Sequence, residues 1–155
     1  MLAITTVRFI IALSLLVTLS SACSKDSTDV NPDETEKAGT FKVDGVASKG
    51  KTEIQTFVNG NYSIICQQDE PFKLLQVTFH SKAEAEKGGS FKVGDSSLNV
   101  SAGEVEVGVD GLTFDPDGKY VVSVTGNKIV MTNIKLVQTG GGSKKATINE
   151  CAVDF

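Results

Sequence analysis

Apolar and polar residues alternate in short runs along most of the chain, and this two-residue period constrains the fold more than any other feature. Glu104–Val109 is the clearest example, because its three valines fall on one face of an extended strand and its glutamates on the other. Residues 72–79 show the same alternation. Strands with this pattern bury one face and leave the other in water, which is typical of antiparallel sheets.

Turn sequences separate the runs and predict how consecutive strands pair. Asp44-Gly45, Asn59-Gly60-Asn61 and Thr125-Gly126-Asn127 each lie between two extended runs, where Gly and Asn accept the positive φ of hairpin turns. Asp115-Pro116-Asp117-Gly118 predicts a further turn. Because no crossover helix separates the strands, every pairing is predicted to be antiparallel.

The remaining runs complete an all-β domain over residues 40–155. Further strands are predicted at residues 40–44, 52–58, 62–67, 90–93, 98–100, 112–114, 119–124, 128–138 and 145–155. The run 128–138 changes face near Thr132-Asn133, which predicts a β-bulge. Residues 81–87 favour helix but are short, which predicts one exposed turn. The whole predicts a single antiparallel β-sandwich or small barrel of about eight to ten short strands.

An apolar leader and a polar tether precede this domain. Residues 1–22 carry one charge, that of Arg8, followed by an apolar run over residues 9–17. That run is about half of what a membrane-spanning helix needs, so it suits the apolar core of a signal peptide. Residues 23–39 are charged and poor in apolar groups. They are predicted to be a disordered tether, because they cannot bury enough surface to offset the entropy of ordering.

The junction between leader and tether resembles a lipobox, the site at which bacterial lipoproteins are cleaved and lipidated. Ala22 is the small residue expected before the cysteine, whereas Ser20 occupies the position usually held by Leu. The resemblance implies that Cys23 becomes the first residue of the mature protein and carries the lipid. Cleavage after Ala22 by ordinary signal peptidase is the alternative.

The whole chain resembles the small outer-membrane lipoproteins of Bacteroides-type bacteria. The likeness rests on the leader, the lipobox, an acidic tether that begins Ser24-Lys25-Asp26, and a domain that opens with a Phe-Lys-Val-Asp-Gly hairpin. It implies a lipid-anchored protein of the cell outer membrane, exposed at the surface. Asp26-Ser27-Thr28 also resembles the O-glycosylation sequence of that group, which makes Ser27 a candidate acceptor. A solvated linker without modification is the alternative.

Two cysteines and one histidine remain in the domain. Cys66 and Cys151 lie mid-strand among apolar residues. Export permits a disulfide between them, and two buried free thiols are the alternative. His80 is the only histidine, so a zinc site built from several histidines is excluded, and no nucleophile motif accompanies it. An exposed histidine at a strand end is predicted.

Acidic residues offer the other candidates for chemistry. Glu104 and Glu106 are candidate paired carboxylates of a hydrolase acting on glycans or peptides, although alternating acids are typical of a solvated sheet face. Asp110, Asp115 and Asp117 are candidate calcium ligands. Their spacing departs from the EF-hand loop, and the turn predicted at 115–118 accounts for two of them.

The charge balance narrows the range of partners. The net charge is -4 and becomes -5 without residues 1–22, because Arg8 is lost. A negative chain without a basic patch argues against nucleic acid as a ligand. We therefore expect a non-enzymatic binding or accessory module of the cell envelope, with no cofactor or metal. Its expected partners are the membrane, through the lipid anchor, and a glycan or another envelope protein.

Overall fold

A computed structural model of the protein describes residues 36–155. The elements in chain order are β1 Ala38–Val43, β2 Val46–Thr56, β3 Tyr62–Gln68, β4 Lys73–Phe79, α1 Lys82–Lys87, β5 Gly89–Val93, β6 Glu104–Val109, β7 Leu112–Pro116, β8 Val121–Thr125, β9 Lys128–Gln138 and β10 Lys145–Asp154. The first strand therefore begins at Ala38, two residues before the strand predicted from residue 40. The predicted signal peptide, the lipid site Cys23 and the glycosylation candidate Ser27 lie outside the described residues.

The strands close into a barrel, so the all-β prediction is confirmed and the barrel is the correct member of the predicted pair. A circuit of nine strands runs β1-β2-β3-β4-β6-β5-β8-β9-β10 and returns to β1. Two sets of strands bridge the gap between β6 and β9. β5 and β8 bridge it where β6 and β9 begin, because β5 pairs with the first residues of β6 and β8 with the first residues of β9. β7 bridges it where β6 and β9 end, by pairing with the last residues of each.

One strand pairing corrects the prediction that all strands are antiparallel. β5 and β6 run parallel and share two register pairs, Lys92 with Glu104 and Val93 with Val105. The loop over residues 94–103 returns the chain to the end where β5 begins, so β6 starts in the same direction. A contact this short does not need a crossover helix. Every other pairing within residues 36–155 is antiparallel.

The two ends of the barrel differ in the strand connections and chain ends that they carry. We call the end at which β1 begins the proximal end, and the end at which it stops, at the Asp44-Gly45 turn, the distal end. The antiparallel pairings that link β1 to β2, β3, β4, β6 and β7, and to β10 and β9, place the β3–β4, β6–β7 and β9–β10 connections at the distal end as well. At the proximal end the Lys37 ammonium donates to the Phe155 carbonyl at 3.5 Å, which places both chain ends of the domain there.

The inner faces of the strands form one apolar core, as their alternation predicts. Val105, Val107 and Val109 of β6 are all buried. The side chains of Phe79 and Phe91 meet edge to face, with 5.1 Å between the ring centroids. The largest fully buried side chains are Phe79, Ile64, Leu75, Ile129, Met131, Ile134, Leu136 and Ile148.

The predicted change of the inward-facing side in β9 is present, and the neighbouring strand β10 changes its inward-facing side as well. In β9 the buried positions Met131 and Ile134 are separated by two exposed residues, and Asn133 has a φ of 53°. The register between β9 and β10 nevertheless continues unchanged across this point. The register shift lies instead between β10 and β1, where Asn149 is the extra residue. The bulge therefore belongs to the pairing with β1.

The strand predicted at residues 98–100 is wrong, because this segment is part of the loop over 94–103. The Leu98 side chain is 91 % exposed. The carbonyl groups of Leu98 and Val100 bond to the side chains of Asn59, at 2.6 Å, and His80, at 2.7 Å. Side chains therefore take the place of a neighbouring strand. In addition, the turn predicted at 115–118 is wrong: β7 continues through Pro116, and β8 follows in the same direction, because both strands pair antiparallel with β9.

The turn predicted at residues 81–87 is the helix α1. Ser81 caps it by accepting a hydrogen bond from the Glu84 amide at 3.3 Å. Ala85 is fully buried, so the helix is attached to the core by one side chain rather than fully exposed. Among residues 36–155, no helix has the length and apolarity to cross a membrane.

Candidate functional site

A cavity of about 270 Å³ opens at the distal end of the barrel, and we call it the mouth. Its apolar lining consists of Val43, Val46, Val109, Leu112, Phe114 and Ala146. Its charged lining consists of Asp44, Lys73, Asp110, Lys144 and Lys145. Barrel mouths are among the places where ligand sites recur, because the strand ends hold the lining residues rigidly.

Two tight turns of the same type hold the mouth open. Asp44-Gly45 joins β1 to β2 with φ values of 50° and 81°, and Asp110-Gly111 joins β6 to β7 with 48° and 77°. Positive φ at both central residues matches the right-handed twist of the flanking strands. A hairpin was predicted at the first turn only. The same Asp-Gly pair at 110–111 was available to predict the second.

The interior of the mouth is apolar. Val109, Phe114 and Ala146 are at most 5 % exposed, so they are continuous with the barrel core. Val43 and Leu112 are half-buried and pack against that core. A ligand that covers these side chains gains about 25 cal/mol for each Å² of apolar surface removed from water.

The two carboxylates of the mouth are already bound within the protein. Asp110 forms an ion pair with the Lys73 ammonium at 3.0 Å and accepts a hydrogen bond from the Leu74 amide at 3.0 Å. Asp44 accepts a hydrogen bond from the Thr147 amide at 2.7 Å. These bonds fix one end of β4 and one end of β10, and the Lys73 ammonium offsets the negative charge of Asp110.

Two lysines give the mouth its positive charge. Lys144 and Lys145 are exposed, and neither forms an ion pair with any other of residues 36–155. The mouth has three lysines and two aspartates, so its formal charge is +1 on a chain of net charge -4. These lysines were not predicted as site residues, because their place beside Lys73 and Asp44 follows from the barrel topology.

A second hollow, of about 390 Å³, lies on the barrel wall beside Thr40, Ala47 and Gln68. Its deepest residues, Phe41 and Ser48, are almost fully buried members of β1 and β2. This hollow is therefore a depression in the wall, whereas the mouth is the end of the barrel interior. The mouth is the better candidate for a ligand site, although it is smaller.

The candidate hydrolase carboxylates have structural partners. Glu104 forms an ion pair with Lys92 at 2.7 Å, across the parallel pairing of β5 and β6. Glu106 accepts hydrogen bonds from the amide and the hydroxyl of Ser97, both at 2.8 Å. Both therefore attach β5 or the 94–103 loop to β6.

The structure separates the three candidate calcium ligands into different contacts. Asp110 belongs to the mouth, whereas Asp115 accepts hydrogen bonds from the Ser96 amide at 2.8 Å and the Thr139 hydroxyl at 3.1 Å. The Asp117 amide donates to the Lys135 carbonyl at 2.8 Å. Within residues 36–155, no three or more His, Cys, Asp and Glu side chains are grouped to hold a metal. His80 is exposed at the end of β4, as predicted, and its Nδ1 contacts the Val100 carbonyl.

Cys66 and Cys151 are free thiols on the inner faces of β3 and β10. They are not bonded to each other in this structure, and a disulfide formed after export stays a prediction. Burial raises the pKa of the Cys66 thiol. Burial, and then repulsion by the neighbouring Cys66 thiolate, raises the pKa of Cys151 to about 12. Both sulfurs are therefore neutral core groups at physiological pH.

The raised pKa of Cys151 predicts a loss of stability in alkali. In the unfolded chain this thiol ionises near pH 9, whereas in the folded chain it keeps its proton up to about pH 12. The contribution of this thiol to the free energy of unfolding is complete below pH 9. Between pH 9 and about pH 12 it falls by about 1.4 kcal/mol per pH unit. Guanidinium unfolding at pH 9 and at pH 11 is expected to show a steeper fall for the wild type than for Cys151→Ala. Equal slopes would contradict the raised pKa.

Comparison of the chain with protein-family models, with curated proteins and with solved structures finds no match. Among the described residues, the mouth combines a cavity, an apolar lining and charged groups without ion-pair partners. The candidate carboxylates Glu104, Glu106 and Asp115, which lie outside it, are engaged in holding loops and strands together.

Proposed function

We propose that the protein is a lipid-anchored protein of the outer membrane that acts as a non-enzymatic binding module of the cell envelope. The observation that carries the proposal is the position of the mouth relative to the start of the domain. The chain reaches β1 at the proximal end, and the mouth lies at the distal end. The proposed tether would therefore enter the barrel at the end opposite the ligand site.

The length of chain between anchor and barrel is compatible with this arrangement. Residues 23–38 span at most about 50 Å when fully extended. That is enough for the domain to stand clear of the lipid headgroups while remaining at the surface. The negative charge of this segment disfavours adsorption to anionic headgroups, which also favours a domain held away from the membrane.

The contacts of Glu104 and Glu106 support binding over hydrolysis. A retaining or inverting glycosidase needs two carboxyl groups directed at one substrate bond. Glu104 is paired with Lys92, and Glu106 is bonded twice to Ser97. Each carboxylate would have to lose its partner before it could act on a substrate.

The anchor is tested by replacing Cys23 with alanine. We expect the wild type to incorporate labelled palmitate and to fractionate with the outer membrane, and Cys23→Ala to do neither, because the thiol that accepts the lipid is gone. Cys66→Ala is the matched control: it also removes one thiol and is expected to keep the label. Antibody binding to intact cells tests whether the barrel is exposed at the surface. A wild type that is exported without label would contradict the proposal.

A further inference from the structure

We infer that the mouth binds a small free amphiphile that carries one anionic group, a carboxylate, sulfonate or phosphate, on an apolar body. This inference rests on the proposed function, since it names the ligand of the same binding site. It follows from three properties of the mouth: its charge, its lining and its place on the barrel.

The charge of the mouth selects an anion. Asp44 and Asp110 are bound to the Thr147 amide and to Lys73, whereas Lys144 and Lys145 have no acidic partner within residues 36–155. Both lysines line the opening, and their ammonium groups offer charge-assisted hydrogen bonds to an anionic headgroup. They remain accessible for it, because both side chains are exposed.

The lining selects an apolar body of limited size. The cavity of about 270 Å³ corresponds to about nine water volumes, which suits a small molecule rather than a polymer. Val109, Phe114 and Ala146 close its inner side with apolar atoms. A ligand would therefore place its apolar part inward and its anion outward, beside Lys144 and Lys145.

The place of the mouth favours a free molecule over a membrane lipid. The domain is joined to its anchor at the proximal end, and the mouth opens at the distal end. The mouth therefore faces away from the point at which the chain enters the barrel. A molecule dissolved in the surrounding medium reaches the mouth directly.

A pair of fluorescent probes tests the ligand class. The anion 1-anilinonaphthalene-8-sulfonate and the neutral N-phenyl-1-naphthylamine share the same ring system and differ by the sulfonate. The Cys23→Ala protein, purified from cells without detergent, serves as the parent for titration. We expect one saturable sulfonate site per chain, with an affinity at least about tenfold above that for the neutral probe.

Three variants assign the site. The double variant Lys144→Gln, Lys145→Gln is expected to weaken sulfonate binding at least about tenfold. Its affinity for the neutral probe is expected to stay within about twofold of the parent's. Lys87→Gln with Lys119→Gln removes the same charge away from the mouth, and we expect both affinities to stay within about twofold. Leu112→Asn is expected to weaken the binding of both probes, because it makes the lining polar. Urea unfolding midpoints close to that of the parent show that the variants are folded.

The outcomes separate the two proposals. Sulfonate binding that is insensitive to the Lys144 and Lys145 changes, or equal affinity for the two probes, would overturn the anionic ligand and leave the anchored module standing. Co-sedimentation with phosphatidylglycerol vesicles that is lost in the same lysine variant would overturn the choice of a free molecule. Loss of palmitate labelling in the wild type would overturn the proposed function without changing the probe result.

Discussion

Gly50→Ala is expected to lower the free energy of unfolding by at least about 3 kcal/mol, because the paired strand leaves no room for a side chain. Gly50 is buried in β2, and a Cβ atom there would overlap the backbone carbonyl of Gln67 and lie 2.9 Å from its amide nitrogen. The obstacle is backbone in the adjacent β3. Relief would require the β2–β3 ladder to open, and this ladder is part of the barrel wall.

Gly94→Ala is the matched control for Gly50→Ala. Its Cβ atom would also meet an oxygen closely, but that atom is Glu104 Oε2, at 2.8 Å, the far end of a flexible side chain. Rotation of this glutamate relieves the contact and costs at most an exposed ion pair, about 1 kcal/mol or less. Guanidinium unfolding followed by circular dichroism measures both variants. Similar small losses in the two would show that the wall adjusts at Gly50, contrary to expectation.

The strands and hairpins could be predicted because their causes are local. Alternation identifies β6 from six residues, and the Asp44-Gly45 pair fixes the β1–β2 turn from two. The role of Gly50 could not be predicted in this way. It depends on the distance between β2 and β3 within the closed barrel, and the sequence shows only a glycine inside a strand.

Closure of the barrel was beyond sequence reasoning, because it depends on contacts between distant segments. β1 pairs with β10, although they are the first and the last strand in chain order. The parallel pairing of β5 and β6 depends on the course of the 94–103 loop. That loop is held by Glu106 and Asp115, two acids whose alternation or turn context indicated only solvent exposure.

The candidate site was missed for the same reason. Its lysines occupy sequence positions 73, 144 and 145, and its apolar lining comes from five different strands and their ends. Each segment taken alone looks like an ordinary strand end with a charged turn. The Asp-Gly pairs at 44–45 and 110–111 indicate two of the distal turns, but only the strand order shows that they frame one opening.

Phe79→Ala is the second change with a large expected effect, a loss of about 3–5 kcal/mol in the free energy of unfolding. Phe79 is fully buried, pairs with Tyr62 on one side and Val105 on the other, and meets Phe91 edge to face. Truncation leaves a cavity where β3, β4 and β6 converge. Phe72→Ala is the control, because the same truncation at a side chain that is 53 % exposed is expected to cost less than about 1 kcal/mol.

The position of Phe79 also allows stability to be separated from binding. It ends β4 at the proximal end, whereas the mouth lies at the distal end. Under conditions where the Phe79→Ala protein is still folded, it is therefore expected to bind the sulfonate probe within about twofold of its parent. Equal losses in the free energy of unfolding for Phe79→Ala and Phe72→Ala would contradict the expected contribution of the buried Phe79 side chain to core packing. A large loss of probe affinity in the folded variant would show that the mouth depends on packing throughout the barrel.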